Sequence, residues 1–212
     1  MSESISRRVA RLVSGSLNAL VDAVERFQPE WVYHLAARTD MHGATVSDYR
    51  ANTDGVSHLL AALPAAPDLA VICTPPATVP GLIAELGAKG TRAAVVVTAG
   101  LDARQKQAML DAARTHTLRI LGPNCIGMLV PHLGLNASFA HADAAPGSIA
   151  FVSQSGALVT AMLDWAASRG IGFSHFVSLG ERADVDFGDM LDFLGSDPAT
   201  RAILLYIESV DE

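Results

Sequence analysis

An α/β fold of parallel βαβ units in two lobes is predicted for this chain by three observations. Short apolar runs alternate with segments of helical period along most of the length, the pattern of parallel strands joined by crossover helices. Gly and Pro close those runs, as βα turns require. Half of the 212 residues are hydrophobic while only 6% are aromatic, so the apolar content comes from small side chains that let helices pack closely on a sheet.

The elements follow in order. From Ser6 to Phe27, Val9, Leu12, Val13, Leu17, Leu20, Val21 and Val24 recur at helical spacing, which predicts one helix, or two if Gly15 divides it. Pro29 ends it. Trp31 to Ala37 is a short apolar run and reads as a buried parallel strand. A polar loop containing Gly43 leads to a helix over Val46 to Leu63. Strands over Leu69–Cys73, Ala93–Thr98 and Leu118–Leu121 then alternate with helices over Thr78–Gly87 and Asp102–His116. Proline is tolerated in a first helical turn, which suits Pro80. His132 to Gly147 holds Gly, Asn and Pro with few periodic residues and reads as a linker between lobes. A second series of parallel units follows: strands over Ser148–Ser153, Phe173–Leu179 and Ile203–Ile207, with helices over Gly156–Arg169 and Phe187–Leu194. Parallel strands are normally covered by helices, so a chain stopping just after Ile207 reads as C-terminally cut short.

Charge and composition exclude several classes. Fifteen Lys and Arg stand against 22 Asp and Glu, for a formal net charge of −7, and no basic tract suggests nucleic acid as a partner. No run approaches the roughly 18 apolar residues of a membrane helix. The start, Met1-Ser2-Glu3-Ser4, lacks the basic and apolar regions of a signal peptide, so a soluble, cytoplasmic protein without membrane partners is expected. Cys73 and Cys125 make neither a disulfide framework nor a metal-ligand spacing, and no metal is expected.

Two motifs carry chemistry. In Phe151-Val152-Ser153-Gln154-Ser155-Gly156-Ala157-Leu158 a strand runs into a Ser/Gly turn and a helix. Free backbone N–H groups beside two hydroxyls suit a phosphate or other anion, and a plain Ser N-cap is the competing reading. In Leu121-Gly122-Pro123-Asn124-Cys125-Ile126-Gly127 a Gly-Pro turn projects Asn124 and Cys125 at the carboxyl edge of a sheet, where open α/β sheets bind ligands. A buried small hydrophobe is the alternative for Cys125. Asp184, Asp186 and Asp189 are acidic enough to suggest magnesium, but they precede a helix, where negative charge is favourable in its own right. Trp165 reads as core or interface, and Leu158, Val159, Met162 and Leu163 as one apolar helix face.

With these motifs, "PDLAVICTPP", "VVVTAGL", "LRILGPNCIGMLVPHLGLNASF", "GSIAFVSQSGALVTAMLDWA", "GIGFSHFVSLGERADVDFGDMLDFL" and "TRAILLYIESV" occur in order. Residues 64–212 thereby resemble the NDP-forming acyl-CoA synthetases, the group of ADP-forming acetyl-CoA synthetase and the succinyl-CoA synthetase α subunit. The resemblance implies two Rossmann- and flavodoxin-like parallel-sheet lobes: a CoA-binding segment over 64–140 and a C-terminally incomplete succinyl-CoA-ligase-like domain over 147–212. It implies a ligase whose parent reaction joins acid and CoA at the expense of ATP through a phosphohistidine, giving acyl-CoA, ADP and phosphate. Coenzyme A is then substrate, and an ATP-grasp domain or subunit is the implied partner.

The same resemblance implies roles. Cys73, Thr74 and Pro75 match a loop contacting CoA; Val97 and Thr98 match the next such loop; Asn124 and Cys125 match a pair near the CoA thiol. Ser153, Ser155 and Gly156 match a helix start that holds the phosphate, and Glu208 matches a glutamate that orients the phosphohistidine. The family's glycine-rich loop and Asn-Pro segment are not found before Pro64, and its catalytic histidine lies beyond the end of this chain. His141 and His175 fall in other segments.

Residues 17–63, with "LVDAVERFQPEWVYHLAARTDMHGATVSDYRANTDGVSHLLAAL", resemble part of the NAD-dependent epimerase/dehydratase family. There Leu35, Ala36 and Ala37 would end the strand beside the dinucleotide and Asn52 would sit on the next helix. The family's glycine loop and Tyr-x-x-x-Lys pair are missing, and neither Tyr33 nor Tyr49 is followed by Lys at that spacing, so NAD is not expected. The two resemblances meet near Leu63-Pro64, as in a chimera or fragment. Three functions stay open: a CoA-binding synthetase-like protein, an NAD-linked epimerase or dehydratase, and an α/β scaffold without activity. Self-association into a homo-oligomer is left open as well.

Overall fold

A computed structural model describes residues 9–13, 17–28, 31–35 and 50–209. Strand β1 (Val9–Val13) pairs in parallel with β2 (Trp31–Leu35), and helix α1 (Leu17–Phe27) joins them. This corrects the helix expected over Ser6–Phe27: its first part is a strand. Val9, Leu12 and Val13 fit helical spacing, but a parallel partner in β2 satisfies the backbone, and tertiary pairing overrides local propensity. Of the strand expected over Trp31 to Ala37, Ala36 and Ala37 lie outside the described residues, as do Gly15, Gly43 and Tyr49.

Helix α2 (Arg50–Ala62) leads into a parallel sheet ordered β3-β4-β5, from β3 (Leu69–Ile72), β4 (Ala93–Val96) and β5 (Arg119–Leu121). Helices α3 (Val79–Lys89) and α4 (Ala103–Thr115) form the crossovers. Helix α3 ends at Gly90, whose φ of 106° and bonds to the carbonyls of Gly87 and Leu86 make a left-handed cap, a conformation that costs glycine nothing. Asp102 starts α4 with a capping box, its carboxylate accepting from the Gln105 N–H at 2.8 Å.

The alternation of β-strand side chains ties the two lobes together. Ala94, Val96 and Ile120 join Leu82, Ile83 and Met109 in a core beneath α3 and α4. Val95, Leu121 and Leu69 point the other way, into a core shared with Val152, Val177, Leu179 and Leu194 of the C-terminal lobe. One face of the N-terminal sheet is thus covered by helices and the other by the second lobe. Each buried aliphatic side chain there contributes roughly 1.5–3 kcal/mol.

The C-terminal sheet is ordered β10-β8-β9-β6-β7, from β6 (Gly127–Val130), β7 (Leu135–Ser138), β8 (Pro146–Ser153), β9 (Phe173–Ser178) and β10 (Ala202–Tyr206). Strands β10, β8 and β9 run parallel, while β6 is antiparallel to both β9 and β7. The linker expected over His132 to Gly147 is therefore corrected: its first part is the return strand of a hairpin. A 3-10 turn over Pro131–Leu133 closed by Gly134 at φ 60° reverses the chain, and the four paired residues of β7 satisfy the edge of β6. Helices α5 (Gly156–Ala167) and α6 (Phe187–Ser196) complete the lobe. Val159 and Leu163 of α5 are buried against Phe151 and Phe176, with Leu158 and Met162 partly buried. The core alternative for Trp165 is corrected: it is 46% exposed, and its ring instead supports the Arg169 guanidinium at 4.7 Å, a cation–π contact one helical turn apart.

Candidate functional site

Carboxyl ends of strands from both lobes converge on one pocket of about 720 Å³. From the N-terminal lobe come Val97, Ala99, Lys106, Asn124, Cys125 and Ile126; from the C-terminal lobe come Ser155, Gly156, Glu181, Arg182 and Glu208. The two motifs singled out in the sequence therefore face one cavity although about thirty residues separate them along the chain.

The first wall is shaped by backbone. After β5 the Gly122–Pro123 peptide is cis, and Asn124 takes φ 56°, a left-handed conformation that Asn tolerates better than most residues. The Asn124 N–H donates to the Thr98 carbonyl at 3.0 Å. A Cβ at Gly180, itself at φ 58°, would lie 2.4 Å from the carbonyl oxygens of both Pro123 and Asn124. That approach lets residues 181–185 run beside 120–123, with the N–H groups of Glu181, Ala183 and Val185 donating to the carbonyls of Pro123, Gly122 and Ile120.

Polar side chains on this wall are mostly satisfied within the protein. The Thr98 hydroxyl donates to the Thr74 carbonyl at 2.7 Å, and the Thr78 hydroxyl lies 2.7 Å from both the Thr74 hydroxyl and the Pro75 carbonyl. Cys73 is exposed, Pro75 and Thr98 are buried, and Thr74 is half-buried; none of the four lines the pocket, whereas Val97 does. Cys125 lines it with only 4% of its surface exposed, its Sγ 3.4 Å from the Val96 carbonyl. Burial pushes its thiol pKa up to about 12, so it is neutral at pH 7 and no thiolate nucleophile.

The opposite wall is the start of α5. Ser153 is fully buried; its hydroxyl donates to the Ser155 carbonyl and accepts from the Ser155 N–H, both at 3.0 Å. It therefore folds the turn and does not line the cavity. Ser155 occupies the N-cap position but its side chain makes no cap bond, so the first N–H groups of α5 keep their positive end of the helix dipole toward the pocket. Gln154 ties this turn to the exit of β10: its Oε1 accepts from the N–H groups of Glu208 and Ser209 at 2.7 and 3.1 Å. Those bonds fix the backbone that carries Glu208 at the rim.

Sequence reasoning did not find Lys106, Glu181 or Arg182. Lys106 Nζ lies 2.9 Å from Glu181 Oε2, Asn124 Nδ2 donates to Glu181 Oε1 at 3.3 Å, and Arg182 donates to the Ser209 hydroxyl at 3.1 Å. The only available signal was the charged pair after Gly180 at a strand end. The acidic cluster has local uses: Asp186 caps α6 with Asp189 in a capping box, while Asp184 accepts from the Ile120 N–H and, like Asp189, from Arg119. Among the described residues no three His, Cys, Asp or Glu side chains gather as a metal site. No described helix is long and apolar enough to cross a membrane. Of the dinucleotide-side residues, Leu35 ends β2 and Asn52 lies within α2; Ala36 and Ala37 fall outside the described residues.

Fold and site together define a two-lobed α/β ligand-binding module with a helix start facing a polar cleft. Its more particular affinity comes from comparison. Residues 41–131 match a CoA binding domain and residues 146–212 a succinyl-CoA ligase like flavodoxin domain. Acetate–CoA ligase [ADP-forming] I of Archaeoglobus fulgidus is 38% identical over 151 residues, covering 68% of this chain and 22% of that protein. The alpha subunit of acetate–CoA ligase [ADP-forming] I of Pyrococcus furiosus is 39% identical over 151 residues, covering 68% of this chain and 33% of the subunit. The crystal structure of PH0766 from Pyrococcus horikoshii OT3 superposes with a TM-score of 0.71 at 30% identity, over 98% of this chain and 48% of that one. The chain is NDP-forming acyl-CoA synthetase alpha-subunit-like in its CoA-binding and succinyl-CoA-ligase-like domains. It spans a third or less of the length of these curated relatives. The CoA-binding match crosses Leu63–Pro64 without a break, so the comparisons lend no support to a junction of two families there.

Proposed function

We propose that this chain binds coenzyme A and presents a phosphoryl seat, as the CoA-binding part of an ADP-forming acyl-CoA synthetase. One observation carries the reading: a single pocket joins Val97, Asn124 and Cys125 to Ser155, Gly156 and Glu208, so a thiol end and a phosphoryl group could meet there. On this reading Val97, Asn124 and Cys125 border the CoA arm, with Cys73, Thr74, Pro75 and Thr98 supporting the loops behind them. The N–H groups at Ser155 and Gly156 take the anion, Ser153 shapes their turn, and Glu208 orients the histidine that carries the phosphoryl group. That histidine would come from a segment outside this chain, and an ATP-grasp domain or subunit would supply the phosphoryl group. The parent reaction is then acid, CoA and ATP giving acyl-CoA, ADP and phosphate. No described feature favours NAD chemistry or an inert scaffold over this reading.

Titration calorimetry with CoA tests the proposal. Saturable binding at or below the millimolar range is expected. An absence of heat at millimolar CoA would refute it.

A further inference from the structure

The Asn124 carboxamide has two faces, and Glu181 determines which one the pocket sees. An ionised carboxylate only accepts hydrogen bonds, so the amide nitrogen of Asn124 must be the atom facing Glu181 Oε1 at 3.3 Å. Its oxygen is then the atom left for a ligand. The other carboxylate oxygen, Oε2, holds Lys106 Nζ at 2.9 Å, so Glu181 of the C-terminal lobe bridges α4 and the loop after β5, both of the N-terminal lobe. Its own backbone is pinned too, through the Glu181 N–H to the Pro123 carbonyl at 2.9 Å and the close approach of Gly180 to Asn124. All three side chains line the pocket.

We infer that Glu181 is a positioning residue: backed by Lys106, it locks the Asn124 amide so that Oδ1 is offered as an acceptor to an N–H or S–H donor on the ligand. Lys106 also balances the charge of Glu181, which would otherwise oppose an anionic ligand. The inference rests on the proposed CoA reading, in which the donor belongs to the pantetheine arm. Without Glu181 the amide is free to turn, and its NH₂ group would meet the ligand donor instead.

Titrations on the full chain separate the alternatives. Glu181 is exposed, so Glu181→Ala removes no core contact. It is expected to weaken CoA binding about five- to tenfold, the worth of one hydrogen bond. Asn124→Ala should do the same, and the double variant should be no weaker than Asn124→Ala alone. Glu181→Gln, which still offers an acceptor oxygen to Asn124, should stay within about twofold of the parent protein. Adenosine bisphosphate, which lacks the pantetheine arm, should bind all the variants alike. Additive losses in the double variant, or equal weakening of CoA and adenosine bisphosphate by Glu181→Ala, would overturn the inference. A parent protein that binds no CoA would refute the proposed function itself, a result seen before any variant is compared.

Discussion

The two walls of the pocket are built from the same unit, a parallel strand running into a turn, yet they use their polar atoms in opposite ways. Behind the N-terminal wall the hydroxyls of Thr98 and Thr78 bond inward and the Cys125 thiol is buried against a carbonyl. The wall's surface is left to Val97, Ala99, the buried edge of Cys125, Ile126 and the Asn124 amide, with Lys106 paired to Glu181. On the C-terminal wall the N-cap side chain of α5 makes no cap bond, and the charged groups of Arg182 and Glu208 reach the cavity. One wall supplies shape and the other supplies field. Fold alone does not set this division, because both walls are turns that follow parallel strands; the side chains placed at the turns do.

The largest effect expected from breaking this comparison lies in the core beneath the C-terminal wall. Phe176 is fully buried, with ring centroids of Phe151 and Phe173 at 4.9 and 4.8 Å. Phe176→Ala should cost about 3–5 kcal/mol of stability. Met109→Ala, its counterpart under the N-terminal sheet and equally buried, should cost about 2–5 kcal/mol. The lobes share the core around Val95, Val152 and Val177, so urea unfolding followed by circular dichroism should give one transition for both variants. Two separated transitions would show that the walls fold independently.

Much of the fold was legible in the sequence, because β3 to β5 and β8 to β10 carry apolar runs bounded by Gly, Pro or Ser. What was missed has physical reasons. The spacing of Val9, Leu12 and Val13 fits a helix, and only the pairing with β2 makes the segment a strand. The β6–β7 hairpin is antiparallel, so a βαβ template had no place for it. Both pocket motifs were readable because their chemistry is local. The Lys106–Glu181–Asn124 contact was not, since its members come from α4 and two separate loops and meet only once the lobes pack.

The next effect concerns pH and the shape-giving wall. Burial raises the Cys125 pKa from 9.0 to about 12, so the folded state holds the thiol proton more tightly than the unfolded chain does. Its contribution is complete below pH 9 and is lost as pH rises through the interval from 9 to about 12. Stability measured by urea titration should therefore fall more steeply over that interval in the parent protein than in Cys125→Ala. Native labelling with a maleimide at pH 8 should modify the exposed Cys73 well before Cys125. Equal slopes and equal labelling would mean that the wall opens readily to solvent.

The smallest effect separates the walls most cleanly, because it compares helix starts that look alike in sequence. Asp102 and Asp186 each cap a helix through a carboxylate accepting from an N3 N–H, Gln105 in α4 and Asp189 in α6. Replacing either by Ala should cost about 1 kcal/mol. Ser155 occupies the same position on α5 without a side-chain cap bond, so Ser155→Ala should change stability by less than about 0.5 kcal/mol. If the start of α5 serves an anion, the two kinds of variant should then diverge in ligand binding. Ser155→Ala should weaken inorganic phosphate, measured by its protection against thermal unfolding, while Asp102→Ala leaves that protection intact. A loss of stability in Ser155→Ala as large as in Asp186→Ala would mark the α5 start as an ordinary capped terminus, and the field would then have to come from the charged side chains that line the pocket.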